Sequence, residues 1–171
     1  LHKSSYNEMK VNLDKYCSDL YDTDIVVADI GSMNINGSYR ELVPERWTYL
    51  GVDREAGRGV DVVMTGEYNI PMEDNSVDLV VSGQCLEHVN NPFKLVTEAA
   101  RILKPGGLML LVAPFIFIEH GYPVDCFRFL PDGMKAIMVE AGIEPIHAYR
   151  NLAHKRRHLQ QEDCWGIGRK P

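Results

Sequence analysis

Apolar positions along the chain follow two rhythms, helical at the start and strand-like from residue 25 onward. Between residues 6 and 20, Met9, Leu13, Tyr16, Cys17 and Leu20 fall on one helix face, which predicts an amphipathic first helix lying against a sheet edge or over a ligand. Short apolar runs then predict strands at 25–30, 48–52, 61–64, 77–82 and 108–113, with a short helix at 38–42. Glu73-Asp74-Asn75-Ser76 has the composition of a turn and introduces the fourth strand. Asn91-Pro92 opens a helix that runs to about residue 103, because proline suits a first helical turn, and Lys104-Pro105-Gly106-Gly107 stops it.

Strands alternating with helices are the mark of a parallel sheet covered on both faces. The rhythm changes after Pro114. A long segment at 115–130 precedes a helix at 131–141, and two strands, near 145–149 and 164–168, follow with no crossover helix between them. Such a pair predicts an antiparallel hairpin at the sheet edge. The expected fold is a three-layer, Rossmann-like α/β sandwich with a mostly parallel seven-stranded sheet, and 171 residues leave room for one core.

Charge narrows the partners. A net charge of -6 and a pI near 5.5 leave no broad basic face with which to displace counterions from nucleic acid. Cys17, Cys85, Cys126 and Cys164 form no CxxC pair and no metal-ligand spacing, so free thiols and no metal are expected. No apolar run approaches the ~20 residues of a membrane span, and Leu1-His2-Lys3-Ser4 lacks the apolar region of a signal peptide. A cytoplasmic protein without membrane insertion is expected, and a first residue other than methionine implies a chain that starts inside a longer one. The sequence carries no signature of oligomeric state.

Two of the predicted strands end in aspartate, in Val26-Val27-Ala28-Asp29-Ile30-Gly31-Ser32 and in Gly51-Val52-Asp53. Open parallel sheets bind ligands beyond the carboxyl ends of their strands where the strand order reverses, so both acids can reach a nucleoside. The dinucleotide fingerprint GxGxxG is absent, since no second glycine follows Gly31 at the required spacing, which weakens an NAD-dependent oxidoreductase. In chain order, Val27-Ala28-Asp29-Ile30-Gly31-Ser32, Tyr49-Leu50-Gly51-Val52-Asp53, Ile70-Pro71-Met72-Glu73-Asp74-Asn75-Ser76-Val77-Asp78-Leu79-Val80, Leu86-Glu87-His88-Val89 and Leu103-Lys104-Pro105-Gly106-Gly107 resemble the successive motifs of class I S-adenosylmethionine-dependent methyltransferases, type 11 branch. The ending Cys164-Trp165-Gly166-Ile167-Gly168-Arg169-Lys170-Pro171 resembles the last strand of that fold. The resemblance implies a single methyltransferase domain over 1–171, with an N-terminal helix (1–22), a cofactor-binding core (23–113) and an acceptor-side part (114–171).

By the same resemblance the cofactor is S-adenosyl-L-methionine and the product S-adenosyl-L-homocysteine. Asp29, Gly31, Ser32 and Gly37 belong to the turn whose amides, beside a helix start, favour the methionine carboxylate. Asp53 accepts from the ribose hydroxyls, Arg54 flanks the adenine, and Glu67 and Tyr68 meet its edge. Ser82, Gly83 and Gln84 face the methionine moiety, Gly83 allowing close backbone approach. Each has a plainer rival: a cap for Asp29, a turn acid for Asp53, a solvated loop for Glu67 and Tyr68, a turn for 82–84. Glu87 and His88 either line the pocket or pin a helix start, and Cys85 reads as core or pocket lining. Two departures from the family stand out: Met33 and Ile35 occupy places where further glycines often stand, and the interval 53–61 is too short for a crossover helix. A tight Glu55-Ala56-Gly57-Arg58-Gly59 loop must replace that helix.

Methyl transfer from a sulfonium is an in-line displacement, so the acceptor groups belong after the fourth and fifth strands. The stretch Glu119–Phe129 supplies the candidates: His120 as proton acceptor, Asp125 to orient it, Arg128 to hold an anionic acceptor. The rival is an Asp125–Arg128 pair that only pins the loop. The basic run His154-Lys155-Arg156-Arg157-His158 is either a solvated face or a contact for an acidic acceptor or partner. The expected activity is methyl transfer to a small-molecule or glycan-like acceptor at oxygen or nitrogen, without nucleic acid. A cofactor-binding regulatory subunit without turnover is the second class.

Overall fold

The computed structural model describes residues 3–156 and 159–171, of which 152–156 and 159–161 by their backbone alone. Arg157 and His158 of the basic run lie outside the described residues. The elements are α1 (Lys3–Tyr16), β1 (Val26–Ile30), β2 (Thr48–Asp53), β3 (Val62–Val63), β4 (Val77–Gly83), α2 (Pro92–Ile102), β5 (Leu103–Ile116), α3 (Pro131–Glu140), β6 (Glu144–Arg156) and β7 (Leu159–Arg169). The strands form one seven-stranded sheet in the order β3-β2-β1-β4-β5-β7-β6. Pairing is parallel from β3 to β5 and antiparallel from β5 through β7 to β6. From β1 the chain steps outward through β2 to β3, then returns to β4 on the other flank of β1. The strand order reverses there.

Alternating side chains divide the core in two. Ala28, Ile30, Val80, Met109 and Leu111 pack with Leu95, Val96 and Ala99 of α2 and Met134, Ile137 and Met138 of α3. Val27, Leu79, Val81, Leu110, Val112 and Trp165 pack on the opposite face with Met9 and Leu13 of α1 and with Tyr39 and Trp47. Trimming any one of these large side chains to alanine costs about 2–5 kcal/mol through lost transfer energy and the cavity left behind. Asn91 caps α2, its side chain accepting from Lys94 N at 3.2 Å, and Pro92 sits in the first turn.

Three boundaries differ from the apolar pattern, each for a local reason. The first helix ends at Tyr16, and Ser18–Leu20 continue as a 3-10 turn. β5 begins directly at Leu103: pairing with β4 passes from Val77↔Leu103 to Leu79↔Leu108, and Lys104-Pro105-Gly106-Gly107 bulges between them. That bulge is held by Lys170, whose carbonyl accepts from Gly106 N at 2.8 Å and whose amide donates to Gly107 O at 3.0 Å. β6 and β7 outrun their apolar centres because backbone pairing continues through polar residues, as at Asn151↔Asp163. As expected, the loop after Asp53 joins β2 to β3 in parallel with no helix. No helix among the described residues is long and apolar enough to cross a membrane.

Candidate functional site

A cleft of about 600 Å³ opens beyond the carboxyl ends of β1, β2 and β4, at the reversal of strand order. Its first wall is the turn after β1. Gly31 has φ +83 and a side chain there would collide with Cys85, so the turn requires glycine. Gly31 N and Ser32 N both donate to Val52 O, at 2.8 and 3.1 Å, while Asn34 N donates to Arg58 O at 2.8 Å and Gly37 N to the Asn34 side chain at 3.0 Å. The amides expected to cradle a carboxylate are thus largely engaged, two with the end of β2, one with the tight 54–61 loop and one within the turn itself. Met33 and Ile35 line the cleft from the same turn.

Asp29 is buried beneath this turn and accepts a hydrogen bond from Tyr49 Oη at 2.6 Å. Burial pushes its carboxyl up to about 7, the Tyr49 hydrogen bond opposing that rise. Arg40 lies over the Tyr49 ring at 4.7 Å, donates to Tyr49 O at 3.0 Å and pairs with Asp61. Asp53, half-buried at the cleft edge, accepts from Met33 N at 2.9 Å and Arg54 N at 2.7 Å. Each of its oxygens keeps a further lone pair for a ligand. Arg54 and Glu67 line the mouth, and Glu67 is held below the usual carboxylate range by donors on Tyr68 and Asn90. Tyr68 does not line the cleft; it faces a shallow groove beside Phe93 and Lys94.

Gly83 and Gln84 bring the end of β4 to the cleft. A side chain at Gly83 would strike the ring of Tyr39, whose hydroxyl meets Ser5 Oγ at 2.8 Å. Gln84 donates to Asp163 Oδ1 at 2.9 Å. Ser82 is buried away from the cleft and donates to Ile30 O at 2.8 Å, tying β4 to β1. The apolar pattern drew attention neither to Tyr39 nor to the Tyr49–Asp29 pair. The available signals were an aromatic directly after Ser38, whose side chain accepts from Arg40 N and caps the 3-10 turn Tyr39–Leu42, and a tyrosine on the strand beside Asp29.

The far wall is built from His88 and Val89 and from the loop after β5, through His120, Tyr122 and Pro123. That loop is tied down at several points. Cys126 N donates to Glu87 O at 2.6 Å, and Phe129 N to Pro114 O at 2.9 Å. The Asp125 carboxylate, 3% exposed, accepts from Arg128 at 2.5 and 2.7 Å and from His120 N at 2.8 Å. Arg128 holds it well below the usual carboxylate range. Arg128 also donates to the carbonyls of Ile118, at 3.1 Å, and Phe127, at 2.8 Å. Neither Asp125 nor Arg128 lines the cleft, whereas His120 does. Cys85 lines it too, but burial pushes its thiol far up, which disfavours a nucleophilic thiolate. Glu87 lies behind His88 with no exposed surface, and burial pushes it up to about 8.

Residues 13–111 match the family model of a methyltransferase domain. A probable S-adenosylmethionine-dependent methyltransferase of Mycolicibacterium smegmatis is 32% identical over 104 residues, 60% of this chain. The chain spans little more than a third of that relative, 37% of its length. Among solved structures, the 1,6-didemethyltoxoflavin-N1-methyltransferase of Burkholderia thailandensis superposes with a TM-score of 0.73 at 13% identity, covering 97% of this chain and 78% of its own. The [4+2]-cyclase SpnF superposes with a TM-score of 0.72 at 15% identity, covering 96% of this chain and 81% of its own. These two likenesses concern the fold alone.

Proposed function

The chain belongs to the class I S-adenosylmethionine-dependent methyltransferases, type 11 branch, and from that premise we propose that it transfers the methyl group of S-adenosylmethionine to oxygen or nitrogen of a small-molecule or glycan-like acceptor. One observation carries the reading: a single cleft at the reversal of strand order is lined by Asp29, Gly31, Asp53, Gly83 and Gln84 on one side and by His88, His120 and Tyr122 on the other. The first side suits the cofactor. Asp53 is the residue for the ribose hydroxyls, with lone pairs to spare on both oxygens. Arg54 and Glu67 at the mouth flank the adenine, and the turn from Gly31 to Gly37, with Gly83 and Gln84, surrounds the methionine part.

The second side suits the acceptor. Its imidazoles and aromatic ring are set in a chain of net charge -6, a lining for a compact polar molecule rather than for a polyanion. His120 is the group we assign to touch the acceptor. Asp125 and Arg128 act as positioning residues, since their charges face each other, the His120 amide and His120 Nδ1 rather than the cleft. The whole chain serves as one domain in this reading. Calorimetric titration with S-adenosylmethionine and S-adenosylhomocysteine, followed by methyl transfer across a panel of hydroxyl- and amine-bearing acceptors, tests it. Both ligands are expected to bind. Binding of neither sinks the reading, and binding without turnover on any acceptor would favour a regulatory subunit.

A further inference from the structure

Glu87 presents a problem that the cofactor does not solve. Its side chain is fully buried, and neither carboxylate oxygen accepts a hydrogen bond from the described residues. Leaving such a group unpartnered costs about 1–3 kcal/mol, and more when it is charged. Arg128 attracts it through space, but the guanidinium is already bound to Asp125 and to backbone carbonyls. What stands next to the carboxylate is a pair of imidazoles. His88 Nε2 is 3.6 Å from Glu87 Oε1, beyond hydrogen-bond reach, and the His88 and His120 rings meet edge to face with centroids 4.9 Å apart. One donor atom from each of Glu87, His88 and His120 lies within 4.8 Å of the other two.

Backbone carbonyls select the tautomers. His88 Nδ1 sits 2.6 Å from Val124 O, and His120 Nδ1 sits 3.1 Å from Ile118 O and 3.3 Å from the acceptor-only Asp125 carboxylate. A carbonyl only accepts, so both Nδ1 atoms carry the proton and both Nε2 atoms keep a lone pair. A ring whose Nδ1–H is fixed by a carbonyl while Nε2 is free is the arrangement that orients metal-binding histidines.

We propose that Glu87, His88 and His120 bind a divalent transition-metal ion on the acceptor wall of the cleft. Two imidazoles and one carboxylate suit zinc, iron, manganese or cobalt, and three protein ligands leave coordination positions open. Those positions face the cleft, because His88 and His120 both line it. Metal–ligand distances of about 2.0–2.2 Å require the three groups to draw in slightly on loading. Metal binding stands on these three residues alone. The use of the ion rests on the methyl-transfer reading: it would take the acceptor hydroxyl. The hydroxyl proton passes to water, an oxygen lone pair forms the new bond to the methyl carbon, and the carbon–sulfur pair returns to sulfur as the thioether. His120 then touches the acceptor through the ion and takes no proton from it.

The test uses the full chain stripped with a chelator and titrated with cobalt(II) alone, followed by visible absorption and calorimetry, with zinc(II) as competitor. One equivalent is expected, displaced by zinc, with affinity falling roughly tenfold or more in His120→Ala and in His88→Ala. Glu87→Gln, which keeps the shape of the side chain, guards against a variant that fails to fold and is expected to weaken binding likewise. Absence of one-equivalent cobalt binding to the parent chain overturns the proposal, as does binding that both histidine variants leave unchanged. Titration of the chelated chain with S-adenosylhomocysteine separates the two readings. Failure there counts against the methyltransferase reading and leaves the cobalt result standing. If both ligands bind, chelator-sensitive turnover supports the role of the ion, and turnover indifferent to chelator and metal overturns that role in favour of His120 as a proton acceptor.

Discussion

The two walls of the cleft differ in how completely their acids are partnered. On the side of β1 and β2, Asp29 has Tyr49, and Asp53 has the amides of Met33 and Arg54. On the side of the loop after β5, Asp125 is fully satisfied by Arg128 and His120 N, but neither oxygen of Glu87 has a partner among the described residues. Both acids of the first wall are partnered, and the buried group left bare there among the described residues is a neutral hydroxyl, Ser32 Oγ. The second wall satisfies Asp125 and leaves Glu87, joined to the same loop through Cys126 N, bare. Polar satisfaction thus separates residues that hold the cleft's shape from residues that await something in it, a distinction that burial alone does not make, since Asp29 and Glu87 are both buried.

The largest effect expected on this contrast comes from breaking the satisfied pair of the second wall. Arg128→Ala leaves Asp125 buried without its countercharge, and removing one partner of such a pair costs about 3–5 kcal/mol. A thermal melt should drop accordingly, and the loop carrying His120 should become protease-sensitive. A melt within a degree of the parent would show that the pair does not hold the loop. Next in size is Asp53→Asn on the first wall. Two hydrogen bonds to a charged acceptor weaken together, each worth about 1.5–3 kcal/mol, so calorimetry should find S-adenosylhomocysteine bound roughly 100-fold more weakly with the melt little changed. Undiminished affinity would remove Asp53 from the ribose.

Much of the first wall was legible in the chain. Its residues follow consecutive strand ends, and strands buried on both faces announce themselves as apolar runs such as Leu108–Val112, bounded by turn residues. The hairpin was legible only at its centre, because the outer parts of β6 and β7 pair through polar residues that carry no apolar signal. The second wall was least legible. Glu87 and His88 sit on a 3-10 turn after β4 and His120 on a loop after β5, so their meeting depends on Cys126 N bonding Glu87 O and on the carbonyls that orient the two rings. Sequence spacing reports ligand sets that lie on one helix or one turn, and this one spans two crossings of the sheet.

A smaller change sharpens the first wall. Tyr49→Phe removes the hydroxyl from Asp29 and leaves a buried carboxyl without its donor, at a cost of about 1–3 kcal/mol near neutral pH. Asp29→Asn restores a neutral group there and should return part of the loss in the double variant. If the double variant is no better than Tyr49→Phe alone, the two residues are not coupled.

The finest discrimination comes from pH. Asp29 titrates at about 7 in the folded chain against a reference of 3.8, so the unfolded chain holds its proton less tightly than the folded one. Its contribution to stability is fully present below about 3.8 and is lost as pH rises through about 7, with a slope of at most about 1.4 kcal/mol per pH unit for one proton. Asp125 has the opposite sign. Its folded value lies below its reference, so the stability it contributes is present above about 3.8 and is lost only as pH falls below that. Acidification from pH 7 to 4 should therefore act on Asp29 and leave Asp125 untouched. Denaturant midpoints of the parent chain and of Asp29→Asn, measured across that window, should differ in slope, the variant lacking the rise in stability toward acid. Parallel slopes would mean that Asp29 is ionised in the folded protein, and that the first wall holds a second charge beside Asp53.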